Sequence, residues 1–299
     1  MITDIGEILN FRHDEAYLSE EWWGKNVNLK PFEKYLKPYP KIYNYFGLVI
    51  DSSGKCIYSK RSRDVFCAVK NIDLLPEIMQ DVNLRFNNLI CAGDDGLLSQ
   101  KINHLKKIRK NFKNIYFEAK NIECSWVRIL PMGMIMPYMI RNGGNEAIIN
   151  QINKKKNKNK LIASAFGSKW PELILKIKDR QELQKAAQKF NFIDDMFCQP
   201  KEYYSNLCDY KFFTAPLGNG VQTPKICECV MCETVPIVTN HIAHRELRDT
   251  YKLPLLIINR WSDLSVKFLN QQWEKTYSKI DWNKEKKKFL VNNFKQLLK

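Results

Sequence analysis

The chain has 299 residues, of which 44% are hydrophobic and 27% charged, so it can bury a core and is neither a disordered nor a fibrous protein. Its 48 lysines and arginines outnumber 32 aspartates and glutamates, and the net charge of +16 predicts an anionic partner: nucleic acid, an acidic membrane surface or a phosphorylated small molecule. The nine cysteines are odd in number and irregularly spaced, which argues against a disulfide-stapled secreted domain and for a reducing compartment.

The N-terminal sequence lacks the basic start and apolar run of a targeting segment. The longest apolar stretch, residues 129–140, is too short to span a bilayer and is interrupted by Pro131 and Pro137. We therefore expect a cytoplasmic protein, and leave peripheral attachment to a membrane open.

The first half of the chain alternates strand-like and helical patterns. Two strand-like runs flank the turn at residues 51–54 and predict a hairpin. A buried strand follows and stops at the loop of residues 93–96, after which residues 98–111 form a basic amphipathic helix. Two more strands are predicted around residues 114–119 and 127–133. This alternation predicts an α/β fold with parallel strand pairing.

Two breaks in composition divide the chain. The first is the Arg-Asn-Gly-Gly-Asn turn at residues 141–145, and the second is the lysine- and asparagine-rich run at residues 153–160. Together they predict an exposed connection between two domains.

The second half repeats the alternation more regularly and predicts an open sheet of Rossmann type. Strands are expected at residues 160–167, 210–216, 235–239 and 253–258, and helices at residues 179–190, 224–232, 243–251, 262–273 and 283–298.

Residues 210–238 contain the densest set of candidate functional residues. A strand ends at a Gly-Asn-Gly loop and a helix begins soon after it, an arrangement that lets backbone N–H groups approach a phosphate. Thr223 and Lys225 would add a hydroxyl and a cation, and Glu228 could accept both hydroxyls of a ribose. The alternative interpretation is an ordinary glycine turn with Glu228 on a solvated face.

This segment resembles the donor-binding motif of exostosin-like glycosyltransferases. The matching positions are Pro216, Gly218, Asn219, Gly220, Lys225, Glu228, Pro236 and Val238. The chain departs from the family at Glu233, where glycine is usual, and at Lys225, where arginine is common. Residues 129–133, 160–183 and 253–264 resemble other family segments in the same order. The resemblance covers residues 129–270 well and the first 85 residues poorly.

The resemblance implies a GT-B fold, in which two Rossmann-like domains face each other across a cleft. Residues 1–145 would form the acceptor-binding domain, residues 146–280 the nucleotide-sugar-binding domain, and residues 281–299 a helix that packs back on the first domain. The implied activity is transfer of a sugar from a nucleotide-sugar, a UDP-sugar by preference, to a hydroxyl of a glycan or glycoconjugate. Such enzymes are largely inverting and usually need neither a metal nor another cofactor.

An inverting enzyme of this kind needs a carboxylate base on the first domain, at the carboxyl end of a strand. Asp95 is our first candidate and Asp94 the second, the alternative being a surface turn. Gly167 and Arg180 are candidates for contact with the diphosphate. Further candidates for the cleft or the donor sugar, each with a solvated or structural alternative, are Arg61, Arg63, Gly133, His241 and His244.

Three cysteines of the second half suggest a zinc site but lack its geometry. On a continuous helix Cys227 and Cys229 point about 200° apart and cannot face one ion, so we interpret them, with Cys232, as small buried side chains.

The principal alternative is that the chain is a basic nucleic-acid-binding protein without catalytic activity. The lysines of this chain are scattered and no nucleic-acid-binding signature is present, so we expect no nucleic-acid partner. A dinucleotide-dependent enzyme and an inactive glycosyltransferase-like scaffold are further alternatives. Much of the charge falls at residues 101–113, 154–160 and 284–288 and is interpreted as solvated surface, the last run also being a candidate for membrane contact.

Overall fold

The computed structural model describes residues 2–11, 41–58, 62–80, 85–154, 156–165, 179–218 and 220–298. Within these residues the chain forms two β-sheets surrounded by helices, which confirms the predicted α/β class. One apolar core cluster draws side chains from both halves of the chain, and a second lies in the C-terminal half.

The first sheet contains the predicted hairpin at its edge. Its strands are β1 (Leu48–Ile50), β2 (Cys56–Tyr58), β3 (Asp64–Ala68), β4 (Phe86–Ala92), β5 (Phe112–Phe117) and β6 (Val127–Ile129). They lie in the order β2-β1-β3-β4-β5-β6, and all neighbours are parallel except the hairpin pair β1 and β2. The Asp51 carboxylate accepts hydrogen bonds from the N–H groups of Ser53 and Lys55, which closes the hairpin turn.

The second sheet is wholly parallel within the described residues. Its strands are β7 (Lys160–Ser164), β8 (Asp194–Asp195), β9 (Tyr210–Thr214), β10 (Val235–Thr239) and β11 (Leu256–Ile258). The order β8-β7-β9-β10-β11 is doubly wound, because the chain leaves β7 in one direction to form β8 and then returns to place β9 on the other side. The switch point therefore lies between β7 and β9, where the buried Thr214 hydroxyl donates to that of Ser164 at 2.9 Å.

The α-helices are α1 (Leu75–Gln80), α2 (Leu98–Ile108), α3 (Met136–Arg141), α4 (Gly144–Asn153), α5 (Asp179–Lys189), α6 (Tyr203–Leu207), α7 (Lys225–Met231), α8 (Ile242–Tyr251), α9 (Val266–Lys275), α10 (Trp282–Lys287) and α11 (Phe294–Leu297). Five of the predicted helices are present with ends shifted by a few residues, as α2, α5, α7, α8 and α9, whereas α1, α3, α4 and α6 were not predicted. Short 3-10 helices cover Ile5–Glu7, Lys41–Tyr45, Val69–Leu74, Arg109–Asn111, Pro200–Glu202, Trp261–Asp263, Tyr277–Lys279 and Val291–Asn293.

The predicted interdomain connection is more structured than its composition indicates. Gly143 and Gly144 adopt positive φ in a turn between α3 and α4. In the lysine-rich run that follows, Lys158 is not a solvated side chain. Its ammonium donates to the carbonyls of Cys208 and Cys232, at 2.7 and 2.8 Å, and to the Thr234 hydroxyl at 2.8 Å. Its long side chain reaches carbonyls that no local pattern places beside it.

The predicted continuous helix over residues 283–298 is wrong. The chain forms α10, an extended stretch, a 3-10 turn and α11, because Phe289 and Leu290 pair with the N-terminal segment. Ile8 and Leu290 form a β-bridge, and the Phe289 carbonyl accepts from the N–H of Leu9. Phe294 packs edge-on against the rings of Phe11, Phe46 and Tyr45, so this segment contacts the first half of the chain.

The basic run at residues 284–288 is also not wholly solvated. Lys286 is 8% exposed, pairs with Glu233 at 2.6 Å and donates to the Ile152 carbonyl at 2.9 Å. Glu233 adopts a φ of +60°, a left-handed conformation that glycine adopts most easily. That backbone conformation explains why glycine suits this position. The glutamate found here instead forms the ion pair with Lys286.

No helix in the described part of the chain has both the length and the apolar composition needed to cross a bilayer.

Candidate functional site

The two sheets meet at the ends where their parallel strands finish, which we call the carboxyl edges. Residues 93–96, the acidic loop, follow β4 of the first sheet, and residues 215–223, the glycine loop, follow β9 of the second. The two loops touch: a Cβ added to Gly220 would lie 2.9 Å from Asp95 Oδ1 and 3.1 Å from Asp95 Cα. Asp95, the first candidate for the base, therefore faces the predicted donor loop.

The glycine loop is a tight turn with an unusual backbone. Gly218 and Val221 exchange two backbone hydrogen bonds, at 3.1 and 3.2 Å. A Cβ at Gly218 would come within 2.6 Å of the Gln222 carbonyl, so this position requires glycine. The buried, β-branched Val221 has a φ of +72°, a conformation that costs about 1–3 kcal/mol and persists only where the surroundings enforce it.

Gln222 fastens the glycine loop to the first half of the chain. Its side chain is 3% exposed; its Nε2 donates to the carbonyls of Glu118 (2.5 Å) and Leu130 (2.7 Å), and its Oε1 accepts from the N–H of Met132 (3.1 Å). These partners follow β5 and β6. No local sequence pattern singles out Gln222, because its burial depends wholly on the approach of the two sheets.

The acidic loop is held by its own carboxylates and by Glu118. Glu118 Oε2 accepts a hydrogen bond from the N–H of Gly93, and the Glu118 backbone carbonyl accepts one from Gln222 Nε2. Glu118 therefore contacts both loops. Asp94 accepts from the N–H groups of Lys70 and Gly96, at 2.7 and 2.9 Å. Both Asp94 oxygens thus fix the backbone, whereas Asp95 lies against the glycine loop.

Arg180 and Asp179 begin α5 and hold the first residues of the glycine loop. Asp179, which is buried, accepts from the Leu217 N–H at 2.8 Å and from the Trp261 indole at 2.7 Å. Arg180 donates from Nε to the Leu217 carbonyl at 3.1 Å. Burial lowers the pKa of Arg180, opposed by Asp179, Tyr138 and Asp95. The structure therefore brings Arg180 and Asp95 to the same loop, and adds Asp179, which sequence reasoning missed.

Lys225 and Glu228 lie on α7 in a pocket of aromatic rings. Lys225 Nζ is 5.4 Å from the ring centre of Tyr203 and 5.1 Å from that of Phe213, and burial lowers its pKa. Glu228 is only 3% exposed and accepts from the hydroxyls of Tyr203 (2.8 Å) and Tyr204 (3.4 Å). Burial raises the pKa of Glu228, opposed by Lys225 and the two tyrosines. Glu228 is thus an internal acid and does not lie on a solvated face.

Three further predicted residues lie in packed surroundings. Pro216 and Thr223 are buried, and the Thr223 hydroxyl accepts from the Lys225 N–H at 3.4 Å. Gly133 has a φ of +78° and lies so close to the Leu9 carbonyl that a Cβ there would clash. The crevice between Gly133 and Thr223 has no room for a water molecule.

The two histidines lie beside this site at the end of β10. His241 caps α8, its Nδ1 accepting from the Ala243 N–H at 3.2 Å, and burial lowers its pKa. The ring of His244 lies 6.0 Å away and is fully buried, with Nδ1 2.7 Å from the Thr239 carbonyl. That contact requires Nδ1 to carry the proton, and His244 Nε2 meets no hydrogen-bond partner among the described residues. Burial lowers the pKa of His244 to about 4.

Other predicted residues fall elsewhere. Arg63 is exposed at the start of β3, at the opposite end of the first sheet from the acidic loop, so the structure does not bring it to the site. Gly167, Asn219 and Arg61 lie outside the described residues.

A cavity of about 530 Å³ lies between the β5–β6 connection of the first sheet and helix α8 of the second half. At its wall the buried Lys120 pairs with Glu246 at 2.6 Å and donates to the Cys124 carbonyl at 3.0 Å. Glu123, Ser125, Arg128 and Thr250 add polar groups, so the cavity suits a polar ligand.

Cys227 and Cys229 of α7, and Cys232 directly after it, are buried, as predicted. Among the residues that the structure describes, no group of three or more His, Cys, Asp or Glu side chains is placed to hold a metal ion. No protein-family model matches the chain, and no curated protein matches it.

Proposed function

We propose that this chain is a glycosyltransferase of the GT-B type, which moves a sugar from a nucleotide-sugar donor, by preference a UDP-sugar, to a hydroxyl of a glycan or glycoconjugate. The observation that carries the proposal is the contact between Asp95 and Gly220. It joins the carboxyl edge of one parallel sheet to the switch-point loop of a doubly wound sheet, and such loops are where α/β proteins bind nucleotides.

The proposal assigns the donor to the glycine loop. Arg180 supplies a cation at Leu217, and Lys225 supplies a second at the start of α7. Their charge would stabilise the departing nucleoside diphosphate. Contact between Glu228 and a ribose requires the ribose hydroxyls to replace those of Tyr203 and Tyr204, which now occupy the carboxylate.

The proposal assigns the base to Asp95, which would take the proton of the acceptor hydroxyl as that oxygen attacks the anomeric carbon and the diphosphate leaves on the opposite face. We place the acceptor in the neighbouring cavity. Lys120 lines this cavity and lies two residues after Glu118, whose carbonyl accepts a hydrogen bond from the Gln222 side chain of the glycine loop. Inversion and independence of added metal follow from the family resemblance, and activity in the presence of a chelator tests the latter.

Binding is tested with a thermal-shift panel of UDP-, GDP-, CMP- and dTDP-sugars. We expect a UDP-sugar to raise the melting temperature and Lys225→Met to abolish the shift. The proposal fails if none of the four donors stabilises the protein.

Turnover is tested with adjacent carboxylates as a matched pair. Asp95→Asn should retain the donor-induced shift and lose activity by about a hundredfold to ten-thousandfold, the usual contribution of a general base. Asp94→Asn should lower stability and retain turnover, because both Asp94 oxygens bind backbone N–H groups. Equal activity of Asp95→Asn and the wild type would remove Asp95 from the mechanism.

A further inference from the structure

The end of the first sheet that lies opposite the candidate site carries a concentrated positive charge. Because β3, β4, β5 and β6 are parallel, the residues that precede them share one edge, which we call the amino edge. Helix α2 returns to this edge and ends there in the basic segment of residues 106–113. The exposed cations of the amino edge are Arg63, Arg85, Lys106, Lys107, Arg109, Lys110 and Lys113.

Among the described residues of this edge, cations far outnumber acids. Residues 96–117 contain no aspartate or glutamate. None of the seven cations forms an ion pair with any described residue, whereas Lys101, nearer the start of α2, pairs with Asp73. Asp64 lies at the same edge, where it accepts hydrogen bonds from Ser62 and Asn88, and it sets one negative charge against the seven positive charges. The described part of the amino edge is therefore a strongly basic surface.

Aromatic side chains stand at both ends of this surface. Tyr58, at the end of β2, is 71% exposed, and the register pairs it with Leu48 at the start of β1. Half-buried Trp126 precedes β6 and stacks under the Arg109 guanidinium at 5.1 Å. Tyrosine and tryptophan beside lysine and arginine are the residues that favour the headgroup region of a bilayer.

The spacing favours a bilayer over a nucleic acid. Tyr58 and Trp126 are separated by five strand spacings, about 24 Å, too far to stack on neighbouring bases. Arg109 covers one face of Trp126, which leaves that face unable to receive a base. A broad sheet end with its cations spread along one edge fits a flat anionic surface.

We propose that the amino edge docks this protein on a membrane surface rich in anionic lipid headgroups. The edge lies opposite the acidic and glycine loops, so the docked protein would present these two loops away from the bilayer. The inference goes beyond the proposed glycosyltransferase activity and does not depend on it.

The test is co-flotation of the full chain with lipid vesicles. We expect binding to phosphatidylcholine vesicles that contain about one third phosphatidylserine, no binding to phosphatidylcholine alone, and loss of binding between about 0.1 M and about 0.5 M salt. A charge-reversed edge variant should bind about a hundredfold more weakly. It carries glutamate at Arg85, Lys107, Lys110 and Lys113.

A matched variant reverses the same number of exposed cations, all of them lysines, in the second half of the chain. It carries glutamate at Lys185, Lys267, Lys275 and Lys279. Because its net charge equals that of the edge variant, it should keep most of the vesicle binding if location matters. Tyr58→Ser, at an exposed site, should weaken binding several-fold without loss of stability.

Two outcomes overturn the inference. Equal loss of vesicle binding in both charge-reversed variants would show a general effect of net charge. Edge-dependent binding to a fluorescent duplex DNA, without binding to anionic vesicles, would assign the surface to nucleic acid. Circular dichroism of both variants establishes that each is folded, and neither result bears on the sugar-nucleotide panel.

Discussion

The Gln222 side chain offers the sharpest test of how the two halves of the molecule are joined. In Gln222→Leu, a side chain of similar size cannot hydrogen bond, so the Met132 N–H and the carbonyls of Glu118 and Leu130 lose a partner. The crevice there has no room for water, so solvent cannot replace the amide.

The expected loss of stability follows from these three backbone groups. Each buried backbone group left without a partner costs about 1–3 kcal/mol, and partial relaxation reduces the sum, so we expect unfolding to become easier by about 3–5 kcal/mol. Gln222→Glu should be damaging too, since a carboxylate oxygen would face two carbonyls. Its deficit should shrink at acid pH, where a protonated glutamate can donate one hydrogen bond.

Equilibrium denaturation in urea, followed by circular dichroism, measures this cost. Gln188→Leu, at an exposed position of α5, is the matched control and should change stability by no more than about 0.5 kcal/mol. If Gln222→Leu costs less than about 1 kcal/mol, the amide does not fasten the halves together and the reasoning fails.

Three further substitutions test individual features. Gly220→Ala forces a methyl group to within 3.1 Å of the Asp95 backbone, so we expect the loops to separate at a cost of about 1–3 kcal/mol, seen as a lower melting temperature. Folding lowers the pKa of His244 from 6.5 to about 4. Between these pH values the unfolded chain binds a proton at this histidine and the folded chain does not. The free energy of unfolding should therefore fall by up to about 3 kcal/mol as the pH drops through this window. His244→Phe should flatten that part of the stability–pH curve, and an unchanged slope would contradict the assignment. Lys158→Met removes three hydrogen bonds and should lower the free energy of unfolding, measured by urea denaturation, by about 3 kcal/mol. The control Lys154→Met, at an exposed position, should lower it by less than about 0.5 kcal/mol.

Local patterns predicted most of the strands but not β3 or β8, and five α-helices but not α1, α3, α4 or α6. Where they succeeded, alternation and helical periodicity record which side of each element is buried. Helix α2 illustrates this, since Leu98, Leu105 and Ile108 are buried as its spacing requires. The same periodicity misled at residues 283–298, because the pairing of Leu290 with Ile8 overrides the helical preference of the segment.

The candidate site was predictable only in part. The glycine loop, Arg180 and Asp95 could be singled out because each follows or begins a predicted element at a carboxyl edge. The roles of Gln222, Asp179 and Tyr203 could not, since their partners come from distant parts of the chain. The basic runs could not be interpreted fully from the sequence either, because composition does not reveal which lysine forms a buried ion pair and which is solvated.

By itself the sequence determined the α/β class, the parallel pairing, the hairpin and the position of the glycine loop, since all of these depend on local periodicity and turn residues. Only the tertiary structure decided that Gly220 rests on Asp95 and that Glu228 faces two tyrosines. It also divided the +16 charge into internal ion pairs, such as that of Lys286, and the exposed amino edge. Long-range packing sets which charged groups lose water, and that loss determines what each can do.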